Sequence, residues 1–226
     1  MDWQPIILTL RLASITTLLL FVVSLPAAYW LAYSRSRLKP VFEALVGMPL
    51  VLPPTVLGFY LLLAFSPSGA LGSWLSDSIG LQLVFSFEGL VLASMIYSLP
   101  FMVQPLQAGF LRIDSSLKEA AYLLGKTKFQ TVYSVLLPNM RPALLTGIVL
   151  SFAHTIGEFG VVLMIGGNIP GVTRVASIAI YDEVEALNYG VANAYSLVLF
   201  ALTFTILLVV YTINSGYFKG TGNDSN

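Results

Sequence analysis

Five long stretches of this sequence carry almost no charge, and they constrain the fold more than any other feature. They cover residues 12–34, 44–76, 89–111, 142–173 and 186–218, and only Glu158 interrupts the fourth. A bilayer core about 30 Å thick is crossed by about 20 apolar residues of helix, so each stretch is long enough to span. Composition agrees, since 10% of the 226 residues are charged and the mean hydropathy is +0.84. An ordinary soluble domain carries roughly a quarter charged residues. The predicted fold is all-α, a polytopic membrane bundle of five transmembrane helices.

Eleven Lys and Arg balance eleven Asp and Glu, so the chain has no basic footprint for nucleic acid. It has no Cys and one His. That excludes a disulfide framework and leaves too few strong ligands for a structural zinc, so neither a metal nor a cofactor is expected on this chain.

The basic residues set the predicted orientation, because short cytoplasmic loops collect Lys and Arg. With the N-terminus outside and the C-terminus inside, Arg35, Arg37 and Lys39 fall in the first inner loop. Arg112, Lys118, Lys126, Lys128 and Arg141 fall in the second, and Lys219 lies in the tail. Only Arg11 and Arg174 remain on the outer side. The start, Met1-Asp2-Trp3-Gln4-Pro5, lacks the basic region and cleavage site of a signal peptide, so the first stretch is expected to stay as a helix. Residues 1–218 read as one membrane domain and 219–226 as a flexible cytoplasmic tail.

The second stretch has room for a helix of about 22 residues up to Phe65, followed by a loop at Ser66-Pro67-Ser68-Gly69 and a short amphipathic piece near Trp74. Pro26, Pro49, Pro53, Pro54, Pro100 and Pro105 lie in the apolar stretches. Each removes a backbone donor, which lipid tolerates only where neighbouring helices or a wet cavity satisfy the freed carbonyls. Both simple kinks and helices bent around a pathway meet that condition. Residues 172–186 can form an extra helix, in or flat outside the membrane.

The inner loop 112–141 is more than a tether. Ser115 or Ser116 can cap a helix through Leu124, which Gly125 is placed to end, and a second helix from Phe129 to Leu136 is stopped by Pro138. Within it, Glu119-Ala120-Ala121 is followed after three residues by Gly125, and after nine more by Val135-Leu136-Leu137-Pro138. This pattern resembles the EAA loop of ABC importer permeases of the type I fold, with Val135 in place of the usual Ile. The resemblance implies that Glu119, Ala120, Ala121, Gly125, Leu137 and Pro138 couple the chain to a separate ATPase subunit. Residues 120–127 also satisfy a loose phosphate-loop pattern, but that loop needs a preceding strand and a glycine-rich turn, and Ala-Tyr-Leu-Leu holds a helix instead. ATP and Mg belong, by the resemblance, to the partner ATPase.

In the fourth stretch, Gly147, Ser151, His154 and Glu158 recur at helical spacing and predict one small, polar helix face. A charge at the bilayer centre costs roughly 2.5 to 3.5 kcal/mol, so Glu158 is expected to face protein or water. The stripe fits a translocation pathway or a dimer interface, and it fits equally a His/Glu contact that only fixes packing. Two ligands make no catalytic site, and no nucleophile stands beside them in sequence.

Residues 48–58, Gly157-Glu158-Phe159-Gly160 and residues 167–174 are similar to the molybdate branch of the same permease family. That branch implies a multi-pass subunit of the bacterial inner membrane, working by alternating access as a homodimer. Its expected partners are two copies of the ATPase and an extracytoplasmic molybdate-binding protein. Tungstate and sulfate are the alternative substrates. From other classes, an ion-coupled secondary carrier lacks a matching pair of interrupted helices, and an intramembrane hydrolase at His154 and Glu158 lacks a nucleophile.

Overall fold

The computed structural model describes residues 1–214, so the proposed tail at 219–226 lies outside the described residues. Helices account for most of the described residues, and there is no strand among them. Helix α1 (Gln4–Tyr33) begins with Pro5 in its first turn, where the missing N–H is one the helix end leaves free in any case. Helix α5 (Phe87–Arg112) is capped by Ser86, whose hydroxyl accepts the Gly89 N–H at 3.1 Å. Pro26 in α1 and Pro100 and Pro105 in α5 sit inside continuous helices. Helix α12 (Tyr189–Asn214) completes the long elements.

The second apolar stretch does not form one helix of the expected length. It divides into α2 (Lys39–Gly47), a 3-10 turn (Met48–Leu50) and α3 (Pro54–Phe65), bent by 112°. Pro54 forces the residue before it out of the helical region, and Pro53 accordingly has an extended ψ of 135°. Helix α4 (Ala70–Ile79) contains Trp74, where a short amphipathic piece was expected.

The inner loop forms α6 (Ser115–Leu123), α7 (Lys128–Thr131), a π turn (Val132–Leu136) and α8 (Leu137–Asn139). The expected stop at Pro138 is corrected, because the helical path continues to Asn139. The π turn sends the Leu137 N–H five residues back to the Val132 carbonyl. The Asn139 amide donates to the Val135 carbonyl at 2.7 Å, easing the shortage of donors that the proline ring creates. Beyond Asn139 the path bends by 79° into α9 (Arg141–Ile156). A second break at residues 157–159 leads to α10 (Gly160–Gly166), and α11 (Ala176–Glu185) is the extra helix foreseen near residues 172–186.

Helices α1, α5 and α9 pack on one another, and α3 packs on α10. Leu12, Leu90 and Val161 belong to one buried cluster, and Leu31, Met102, Phe110 and Leu136 to another nearer the inner loop. Where lipid is as apolar as the core, close backbone approach replaces the hydrophobic effect as the main attraction between helices. Glycines provide that approach. A Cβ at Gly109 would lie 2.6 Å from the Ala143 Cβ, and one at Gly147 would lie 3.1 Å from the Met102 sulfur.

Candidate functional site

The inner loop presents the first of two chemically distinctive places. Its cap is Asp114 rather than Ser115 or Ser116, because Asp114 is the last residue with extended ψ before the helix. The Asp114 carboxylate accepts the Ser116 N–H at 2.9 Å, and this bond holds its pKa below the usual carboxylate range. Gly125 adopts a φ of +77°, open to glycine without strain, and reverses the chain. Its N–H bonds the Tyr122 carbonyl, and the Lys126 N–H reaches the Ala121 carbonyl at 3.0 Å. Thr127 and Gln130 then cap α7 reciprocally.

This geometry turns one side of α6 outward. Glu119 and Ala120 are exposed, whereas Ala121 is buried. Leu137 is half-buried and Pro138 exposed. Leu123 is 88% exposed and Phe129 79%, and Leu124 and Tyr133 are also open. A groove of about 370 Å³ runs among Leu124, Lys126, Phe129 and Tyr133. Large apolar side chains clustered in this way mark a surface for contact with a protein or with the membrane. Beneath the knob, Lys118 points back to the bundle, with Nζ 3.4 Å from the centre of the Tyr33 ring. Partial burial there lowers its pKa from the ordinary lysine value.

The second place lies where α9 breaks. The predicted four-residue stripe is corrected here, because α9 ends at Ile156 and Glu158 falls in the break rather than on the helix face. Gly157 ends α9, and Ser177 of α11 donates its hydroxyl to the Glu158 carbonyl at 2.6 Å, satisfying backbone that the break exposes. Gly147 packs against Met102 of α5, and Ser151 is fully buried. His154 and Glu158 line a cavity of about 480 Å³, together with Pro54, Thr55 and Tyr97. The breaks before α3 and α10 therefore meet at one cavity.

Glu158 is 3% exposed, and neither carboxyl oxygen has a hydrogen-bond partner. The unpaired Ser94 hydroxyl faces it outside good bonding geometry. His154 is better held. It stacks on Phe101 with ring centres 4.0 Å apart, and its Nδ1 lies 2.9 Å from the Ser98 hydroxyl oxygen. Thr155 donates to the Ser151 carbonyl, so the Ser98 proton goes to Thr155 Oγ1 at 3.1 Å and His154 Nδ1–H donates to Ser98. Ser98 is fully buried between these two partners.

His154 and Glu158 are thus near neighbours of one cavity, without a direct bond between them. Sequence inspection missed Ser94, Ser98, Thr55 and Tyr97 as their companions. A signal existed for the first two, since two serines four residues apart share one face of a long apolar helix. At the far end of the bundle from loop 112–141, Asp182 accepts the Asn168 amide at 2.7 Å and pairs with Arg174 at 2.9 Å, tying loop 167–174 to α11.

Residues 24–218 match the family described as binding-protein-dependent transport system inner membrane component. The chain is 51% identical to the molybdenum transport system permease protein ModB of Azotobacter vinelandii over 93% of each chain. It is 35% identical to a probable sulfate transport system permease protein, cysT, of Nephroselmis olivacea, over 95% of this chain and 75% of that one. The fold is similar to a subunit of a bacterial alginate ABC transporter solved in complex with an alginate pentasaccharide-bound periplasmic protein. The TM-score is 0.77 at 21% identity, covering 97% of this chain and 80% of that one.

Proposed function

The chain belongs to the family of binding-protein-dependent transport system inner membrane components, and on that premise we propose that it is the molybdate-translocating permease subunit of an ATP-driven importer. The chain itself is a transport subunit and not an enzyme. The observation that carries the substrate is the 51% identity to a molybdenum permease across almost the full length of both chains. Sulfate is the second reading, favoured by the 35% identity to the sulfate relative.

Three long helices and two bent pairs make up five spans, with the N-terminus outside and the C-terminus inside the bacterial inner membrane. The Lys- and Arg-rich end of the bundle then faces the cytoplasm. There the knob formed by loop 112–141 docks on an ATPase that binds ATP and Mg. Glu119, Ala120, Ala121 and Gly125 shape the contact, and Leu137 and Pro138 join it to α9. The assembly is a homodimer of this chain with two ATPase copies, fed by an extracytoplasmic molybdate-binding protein. Alternating access moves the half-helices α3 and α10 around the cavity at Thr55, His154 and Glu158.

Glu119→Ala is expected to leave an inserted, assembled subunit that hydrolyses ATP with little import. Uptake at the unaltered rate by the assembled Glu119→Ala complex contradicts the coupling assignment.

A further inference from the structure

The coupling helix α6 has one buried residue, Ala121, and its backbone approaches chiefly α7 and the π turn. Whatever force a partner applies to the knob must therefore enter the membrane bundle through side chains or through the chain at Ile113 and Asp114. The side-chain route is specific. Lys118 Nζ sits 3.4 Å above the Tyr33 ring, at the last residue of α1. Tyr33 in turn donates its hydroxyl to the Phe110 carbonyl at 2.8 Å, in the last turn of α5. Tyr29 packs edge-on to both Tyr33 and Phe110, with ring centres 5.0 and 5.4 Å away. Phe110 is fully buried among Leu31, Leu106 and Met140. One aromatic cluster thus joins the ends of α1 and α5, and one lysine of the coupling helix caps it.

We propose that Lys118 is the positioning residue that transmits motion of the coupling helix to α1 and α5, through the face of Tyr33. The proposal rests on the assignment of loop 112–141 to an ATPase contact. Lys118 is half-buried on the bundle side of α6, over Tyr33. Glu119 and Leu123 lie one turn apart and exposed. The helix therefore has a face for the partner and a face for the membrane bundle. A cation over an aromatic ring at a partly buried site is attracted to it, which ties the position of α6 to that of the ring.

The test uses the full-length chain with its ATPase, reconstituted in lipid vesicles and supplied with the molybdate-binding protein, and reads molybdate moved per ATP hydrolysed. Lys118→Met keeps the apolar stem and is expected to lower that ratio about fivefold. Lys118→Arg, which keeps a cation able to stack, is expected to restore it to within about twofold. Tyr33→Leu is expected to lower the ratio like Lys118→Met, and the double variant to be no worse than either single one. An unchanged ratio in Lys118→Met, failure of the arginine to rescue, or losses that multiply in the double variant overturn the proposal. The underlying loop assignment is read separately. Because the chain has no Cys, Leu123→Cys can carry a single thiol-linked photocrosslinker on the exposed face. No crosslink to the ATPase overturns the loop assignment and the proposal with it. A crosslink together with fully coupled Lys118→Met overturns the proposal alone.

Discussion

Gly58 of α3 lies so close to α10 that a Cβ there would come 2.7 Å from the Met164 Cβ and 3.1 Å from the Val161 Cα. Gly160 repeats the relation from the other side, where a Cβ would sit 2.9 Å from the Pro54 Cβ. The two half-helices that follow the breaks therefore touch backbone to backbone. Gly58→Ala is expected to cost about 1–3 kcal/mol through overpacking. Thermal unfolding of the detergent-purified complex measures it, and an unshifted Tm contradicts the close contact.

The Ser98–His154 bond gives a second prediction. Ser98→Ala leaves His154 Nδ1 without a partner inside the bundle, at an expected cost of about 1–3 kcal/mol. His154→Phe removes the buried ring nitrogen and keeps the stack on Phe101, so the Ser98→Ala loss should largely vanish in the His154→Phe background. Additive losses in a double-mutant cycle count against the bond.

Glu158 is expected to separate stability from transport. Its carboxyl oxygens are buried and unpaired, so Glu158→Gln should leave the Tm at or above that of the parent. If the cavity that Glu158 lines is the proposed path, Glu158→Gln is expected to lower maximal uptake about tenfold, equivalent to about 1.4 kcal/mol. A stable variant with unaltered uptake removes Glu158 from the path.

Asp114 predicts a pH response of α6. Its pKa is lowered by the Ser116 N–H it accepts, so the stabilisation is complete above the ordinary carboxylate range and disappears as pH falls through the lowered value. Amide exchange in the first turn of α6, corrected for intrinsic rates, is therefore expected to be flat from about pH 5 upward and to rise in stronger acid. Asp114→Asn keeps a good cap and should abolish that acid response. An acid response that persists in Asp114→Asn points to another group.

The charge-free stretches and the helix-forming run in loop 112–141 made the helical class, the long helices and the short helices of that loop legible in the sequence. What they did not carry is where an apolar stretch stops being one helix. Residues 44–65 and 142–166 look continuous because charge, not backbone geometry, was the signal. The break at Pro53 follows from the residue-before-proline rule, but the break at Glu158 has no proline and depends on the Ser177 hydroxyl arriving from α11. Helical periodicity extended through that break put Glu158 on a face it does not share. The cap at Asp114 was missed for a smaller reason, since Asp, Ser and Ser follow one another and only the backbone ψ distinguishes them. Lys118 on Tyr33 joins residues far apart in sequence, and no local pattern announces it.

Molybdate as the substrate is tested by uptake of labelled molybdate at nanomolar to micromolar concentration in cells that depend on this chain for molybdate, compared with cells lacking it. Uptake is expected to disappear with the chain, to return with its gene, and in the complete cells to be competed by tungstate but not by excess sulfate. Uptake that survives loss of the chain, or that excess sulfate abolishes, contradicts it.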